Sequence, residues 1–114
     1  MGDLSANFNR AEFRCKHCGT LVGPTQRLVT VLQRLRTSKG RALTVISGYR
    51  CATHNRRVGG APSSQHVAGT AADIPPGYAT VGEAAAAGAV GIGSKGQWAT
   101  HVDVREGAPA RWQY

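Results

Sequence analysis

The spacing of apolar residues changes several times along the chain, and each change marks an element. Leu28, Leu32 and Leu35 recur at i, i+4 and i+7, with Arg27, Arg34 and Arg36 largely outside that stripe. This spacing predicts an amphipathic helix opening at Gly23-Pro24-Thr25 and running through about Ser38. Lys39-Gly40 is its stop. Upstream, Asn9-Arg10-Ala11-Glu12 has the form of a capping box and starts a short helical turn carrying Phe13 toward the core. Residues 42–47 form a short apolar, β-branched run, the pattern of a buried strand. Gly48-Tyr49-Arg50 turns off its end and leaves Arg50 at a strand terminus. A loop over residues 59–64 leads to a strand at 71–74, ended by Pro75-Pro76-Gly77. Thr80-Val81-Gly82-Glu83 is a second capping box, opening an alanine-rich helix to about Ala89 that Gly82 and Gly88 weaken. Residues 90–93 and 100–104 read as two more strands, and Ala108-Pro109 starts the tail.

A leading helix followed by scattered short strands predicts one α+β domain, residues 1–114, with a small antiparallel sheet flanked by helices. No apolar run approaches the roughly 20 residues that cross a bilayer, so no membrane insertion is expected. Met1-Gly2-Asp3-Leu4-Ser5 has neither a basic nor an apolar leader segment, so no secretory signal is expected. Fourteen Lys and Arg against six Asp and Glu give a formal charge of +8, which suits a polyanionic partner. Nucleic acid is disfavoured. The basic residues form no single run, and Tyr49 and Trp98 alone do not make a stacking platform. A bacterial wall, with its carboxylates and phosphates, satisfies the same attraction.

The chemistry concentrates in Ser64-Gln65-His66-Val67-Ala68-Gly69-Thr70-Ala71-Ala72-Asp73 and, downstream, Thr100-His101-Val102-Asp103. His66, Asp73 and His101 make a two-imidazole, one-carboxylate set with a fourth position left for water, the pattern of a catalytic zinc and not a closed structural one. Strand alternation puts His101 and Asp103 on one face. If residues 71–74 pair beside them, Asp73 meets His101 without long reach. Gly69, Ala71 and Ala72 keep the intervening turn slim enough for His66 to fold back. Singly, each of these residues reads as ordinary turn or surface chemistry; together they read as a metal site.

Ser64-x-His66-x-x-Gly69-x-Ala71-x-Asp73, preceded by Ser47-Gly48-Tyr49-Arg50 and followed by His101-x-Asp103, resembles the zinc D-Ala-D-Ala carboxypeptidases and related phage endolysins. These share a metallopeptidase group with lysostaphin and the hedgehog signalling domain. The resemblance spans about Phe8 to Trp112. It implies that His66, Asp73 and His101 hold Zn2+, that the fold is hedgehog/DD-peptidase-like, and that the substrates are peptidoglycan stem peptides. It also implies that Arg50 engages the scissile carbonyl or the substrate carboxylate. Several relatives carry a catalytic Asp or Glu three residues before the last zinc histidine; here that position is Trp98. Asp103 is then either the general base or a residue that orients a ligand imidazole. Glu83 and Glu106 are weaker candidates, explained by a helix cap and a loop. Ser64 and Tyr49 are candidate substrate contacts.

Three cysteines stand apart from this set. Cys15-x-x-Cys18 encloses His17, and Cys51 follows Arg50. They admit a disulfide with one thiol left over, a structural Cys3His zinc using His17 or His54, or three reduced thiols. The resulting expectation is a zinc metallopeptidase cutting bacterial peptidoglycan peptides, acting as a phage lysin or a tail-associated module alongside other virion proteins. Its place would be the virion, or the host cytoplasm before release to the wall. The alternative is a non-catalytic zinc-containing domain that binds the wall or builds the virion.

Overall fold

The computed structural model describes residues 2, 4–59 and 64–114. A short 3-10 helix, Arg10–Phe13, comes first and buries Phe13; the Asn9 amide donates to the Glu12 carboxylate at 2.7 Å. Helix α1, Gln26–Lys39, starts where the Thr25 hydroxyl accepts from the Leu28 amide and ends at Gly40. Leu28, Leu32 and Leu35 are buried, as their spacing predicts, and Val29 and Val31 widen the stripe. Helix α2, Ala52–Arg57, is one and a half turns that the apolar pattern did not reveal, because Asn55 is its only buried residue. Helix α3, Val81–Ala86, opens with the expected reciprocal cap between Thr80 and Glu83 and stops short of Ala89. Most of the expected loop before His66, residues 60–63, lies outside the described residues.

The sheet has four strands in the order β1-β3-β2-β4, with β1 Ala71–Asp73, β2 Gly91–Lys95, β3 Trp98–Asp103 and β4 Ala110–Gln113. The α+β architecture is the expected one. The first three strands pair antiparallel, while β4 runs parallel to β2, so the sheet is mixed and not purely antiparallel. Residues 42–47 do not form a ladder strand. They run extended, with Leu43 and Val45 buried, and touch β1 only through a bridge from Ser47 to Asp73. The run has the composition of a strand, but Ile46 and Ser47 alone exchange backbone hydrogen bonds with Asp73.

Register sorts the two faces of the sheet. Ala72, Val102 and Ile92 lie side by side and belong to the core with Leu28, Leu32, Ile74 and Tyr78. The opposite face carries two rows. Asp73, His101, Gly93 and Trp112 form one, and Ala71, Asp103, Gly91 and Ala110 the next. Because side chains alternate, a slip of one residue in β3 would send His101 into the hydrocarbon core and bring Val102 out. The burial of Val102 and Ile92 therefore sets the position of the polar row. Among the described residues, no helix is long and apolar enough to cross a membrane.

Candidate metal and active site

His66 arrives on a tight turn. The Ser64 hydroxyl accepts from the His66 amide at 3.2 Å, and the Thr70 hydroxyl lies 2.7 Å from the Gln65 side-chain oxygen, closing the loop. Gly69 sits at φ +74°, and a Cβ there would press on the Val22 carbonyl. Only glycine takes that conformation and that approach together. The turn lays the His66 ring over the polar row of the sheet.

Three atoms converge there. His66 Nε2 lies 3.1 Å from Asp73 Oδ1 and 3.2 Å from His101 Nδ1, and His101 Nδ1 lies 3.3 Å from Asp73 Oδ1. Nitrogen and oxygen ligands about 2.0–2.2 Å from a tetrahedral zinc stand roughly 3.3–3.5 Å from one another. The triangle is thus close to one face of a zinc tetrahedron. The far nitrogen of each ring is held. His66 Nδ1 is 2.7 Å from the Gly48 carbonyl, and His101 Nε2 is 2.8 Å from Asp103 Oδ2. Each far nitrogen then carries the proton, which leaves the converging nitrogen with its lone pair free for a metal.

Charge is balanced around this centre. Burial works to raise the Asp73 carboxyl, but hydrogen bonds with His101 and His66 outweigh it and hold the group well below the usual carboxylate range. Burial alone would push His101 down, whereas Asp103 and Asp73 raise it. Asp103 is fully buried and likewise held low, burial being overcome by His101 and Arg105. Arg105 grips it from behind, donating from Nε to Oδ1 at 3.0 Å, from Nη2 to Oδ2 at 2.7 Å, and from its amide to Oδ1 at 3.1 Å.

Of the residues singled out from sequence, His66, Asp73, His101 and Asp103 come together. Arg50 lies beside them, its amide donating to the His66 carbonyl at 3.2 Å. Its buried Nε has no hydrogen-bond partner among the described residues. Arg50 and Asp73 line an open cleft of about 380 Å³ with Ile46, Thr100, Pro76 and Tyr114. Ser64 spends its hydroxyl on the His66 turn. Tyr49 neighbours the cysteines, and burial and those three sulfurs raise its phenol. Trp98 begins β3 and bridges to Thr80. Glu83 caps α3 and pairs with Lys39 at 2.8 Å, and Glu106 is exposed. Cys15, Cys18 and Cys51 gather in a cluster of their own.

Sequence reasoning missed Trp112, whose ring centroid is 5.0 Å from that of His101, and the guanidinium of Arg105 lying 5.2 Å over the Trp112 ring. It also missed Gly91 and Gly93. A side chain at Gly91 would collide with the Asp103 carboxylate, and one at Gly93 with the Trp112 ring. The signal was present. Gly91-x-Gly93 repeats the two-residue spacing of His101-x-Asp103, which is what a neighbouring strand needs to clear room for them.

The sequence profile of the peptidase M15 family matches residues 6–103, which include His66, Asp73, His101 and Asp103, and the chain belongs to that family. No curated protein matches the chain. M15 peptidases are zinc-dependent, and His66, Asp73 and His101 form a group whose ligand atoms are close enough together to hold a metal ion.

Proposed function

We propose that the protein hydrolyses peptide bonds in the stem peptides of bacterial peptidoglycan, with His66, Asp73 and His101 as the zinc ligands. The observation that carries this reading is the triangle of three ligand atoms at 3.1–3.3 Å, each imidazole steadied by a partner on its far nitrogen. A zinc ion bound there would lower the pKa of its water toward about 7 and polarise the scissile carbonyl. The chain's own residues do the rest. Arg50, a cationic residue lining the cleft, binds a substrate carboxylate or the oxygen on which charge develops. Asp73, half-buried, forms the border between the metal centre and that cleft.

Asp103 acts as a positioning residue. Both its oxygens are engaged, and it meets His101 on the nitrogen turned away from the ligand triangle. That arrangement orients the imidazole and leaves removal of the water proton to another group. The same observation favours one second reading, a zinc-containing wall-binding domain without turnover. Of the carboxylates among the described residues, Glu12 and Glu83 are engaged at helix starts, Asp103 is clamped, Asp73 meets both imidazoles, and Glu106 is exposed after β3.

The setting we propose is a phage lysin or a tail-associated wall-degrading module. The charge of +8, suited to an anionic wall, supports it. The test is incubation of purified peptidoglycan with the zinc-loaded protein and with a chelated control, followed by mass analysis of the fragments. Release of new peptide termini that stops on chelation is the expected result and identifies the bond. Zinc-loaded protein that binds the wall and releases nothing would replace this reading with the binding one.

A further inference from the structure

The second concentration of metal-binding side chains lies away from the histidine–aspartate centre. Cys15, Cys18 and Cys51 are free thiols whose sulfurs all lie within 4.8 Å of one another. Two segments bring them there. The loop 15–20 is closed by the Cys15 amide donating to the Thr20 carbonyl and the Gly19 amide to the Cys15 carbonyl, both at 2.8 Å. Cys51 stands at the start of α2, where its sulfur accepts from the His54 amide at 3.4 Å.

Of the three sulfurs, that of Cys15 is the one its surroundings favour as a thiolate. Burial would raise the Cys15 thiol, but amides of Cys51, Cys18 and His17 point at its sulfur and bring it down to about 7. The Cys51 amide makes that contact at 3.4 Å. For Cys51 the His54 amide works downward, yet burial and the two neighbouring cysteines raise it overall. Three negative sulfurs at such spacing repel one another, and a divalent cation is what lets all three ionise together. A disulfide would use two of them and strand the third. A fourth donor stands beside Cys51 but outside the group of mutually close sulfurs, so the exposed His17 ring has to turn inward to complete the set. His17 Nδ1 lies 3.6 Å from Cys51 Sγ, close to the roughly 3.6 Å edge between a sulfur and a nitrogen ligand on tetrahedral zinc. The His17 ring is exposed and stacks on His54, with centroids 6.0 Å apart.

We propose that Cys15, Cys18 and Cys51, with His17 as the fourth ligand, hold a structural zinc ion distinct from the peptidase centre. Four protein ligands close the coordination sphere, so the ion orders the chain and has no place for a reacting water. On binding, each thiol gives its proton to solvent. The ion ties the loop 15–18 to residue 51. Between those points the Tyr49 amide donates to the Phe13 carbonyl, the Gly48 carbonyl holds His66, and Arg50 reaches the cleft. The sulfur site thus anchors the segment that orients one ligand of the peptidase centre and carries its arginine.

Elemental analysis of the purified full chain tests this. Two zinc ions per chain are expected, falling to one in Cys51→Ser and, independently, to one in His66→Ala. Cobalt-loaded protein should show thiolate-to-cobalt charge-transfer absorption in the near ultraviolet, kept in His66→Ala and lost in Cys51→Ser. If Cys51→Ser does not fold, the absorption of the cobalt-loaded native chain decides alone. Absence of that band, or a disulfide between two of the cysteines in the zinc-loaded protein, would overturn the site. His17→Ala should release this zinc to a competing chelator more readily than His54→Ala; the reverse order would overturn the assignment of His17. Loss of zinc in the cysteine variant but not in His66→Ala would overturn the peptidase-centre ligands and leave the sulfur site standing.

Discussion

Asp103 and Arg50 are the two residues on which the proposed chemistry turns, and their surroundings set opposite expectations. Asp103 is buried, with His101 on one side and the Arg105 fork on the other. Replacing it by Asn keeps the shape and removes the charge that steadies the imidazolium-like face of His101. Asp103→Asn should therefore weaken zinc binding about 10–100-fold, the usual cost of losing a carboxylate behind a ligand histidine. Zinc competition against a chromogenic chelator measures it. A variant that holds zinc as tightly as the parent while hydrolysis disappears would mark Asp103 as the general base instead. Arg50 has the converse profile. Arg50 lines the cleft, and its buried Nε has no hydrogen-bond partner among the described residues, so Arg50→Ala should leave zinc in place and cut kcat about 10²–10³-fold. Steady-state kinetics on a stem-peptide substrate reads this, and a change confined to KM would reduce Arg50 to simple binding.

At the scale of elements, the polar face of the sheet depends on what β2 leaves out. Gly91 and Gly93 stand opposite Asp103 and His101 on one side, and opposite Ala110 and Trp112 on the other. Their bare backbone lets the Asp103 carboxylate lie flat and lets the Trp112 ring reach His101. Adding a methyl to so tight a site typically costs about 1–3 kcal/mol. Gly93→Ala should lose stability of that order in urea unfolding, with a change in tryptophan emission as Trp112 is displaced. Gly91→Ala should lose stability and zinc affinity together, because its methyl strikes the residue that holds His101. Equal zinc affinity in Gly91→Ala and the parent would show that the Asp103 contact does not steady the metal.

For the whole molecule, zinc and net charge are the two global levers. The proposed ligands come from a loop, from β1 and from β3, so metal binding there would join parts of the chain that separate on unfolding. Zinc at a hundred times its Kd adds about 2.7 kcal/mol to the folded state. Chelation should accordingly lower Tm by on the order of 10 °C for a domain this size, followed by thermal denaturation with and without chelator; an unchanged Tm would separate metal binding from folding. The charge of +8 makes a second expectation. Attraction to an anionic wall is screened over about 8 Å at physiological salt, so pull-down on purified wall should weaken steadily as salt rises. Binding indifferent to salt would assign recognition to the cleft and not to the surface field.

Much of this centre was legible along the chain. The convergence of His66, Asp73 and His101 was expected from their motifs, and the α1 stripe and both capping boxes depend on short-range spacing, which sequence displays directly. So did the class of fold, since helix and strand periods differ. Residues 42–47 misled because a buried extended segment and a ladder strand share one composition; only the neighbouring backbone decides between them. α2 and β4 were hidden for a related reason, one being too short to show a stripe and the other alternating half-buried with exposed positions. What the tertiary structure alone decided was which nitrogen of each histidine faces inward, which side of His101 Asp103 occupies, and that three cysteines thirty-six residues apart at their extremes share one point in space. Those are matters of register and crossing. They follow from burying Val102 and Ile92 on one face and packing Phe13 beside residue 49, contacts that no local pattern records.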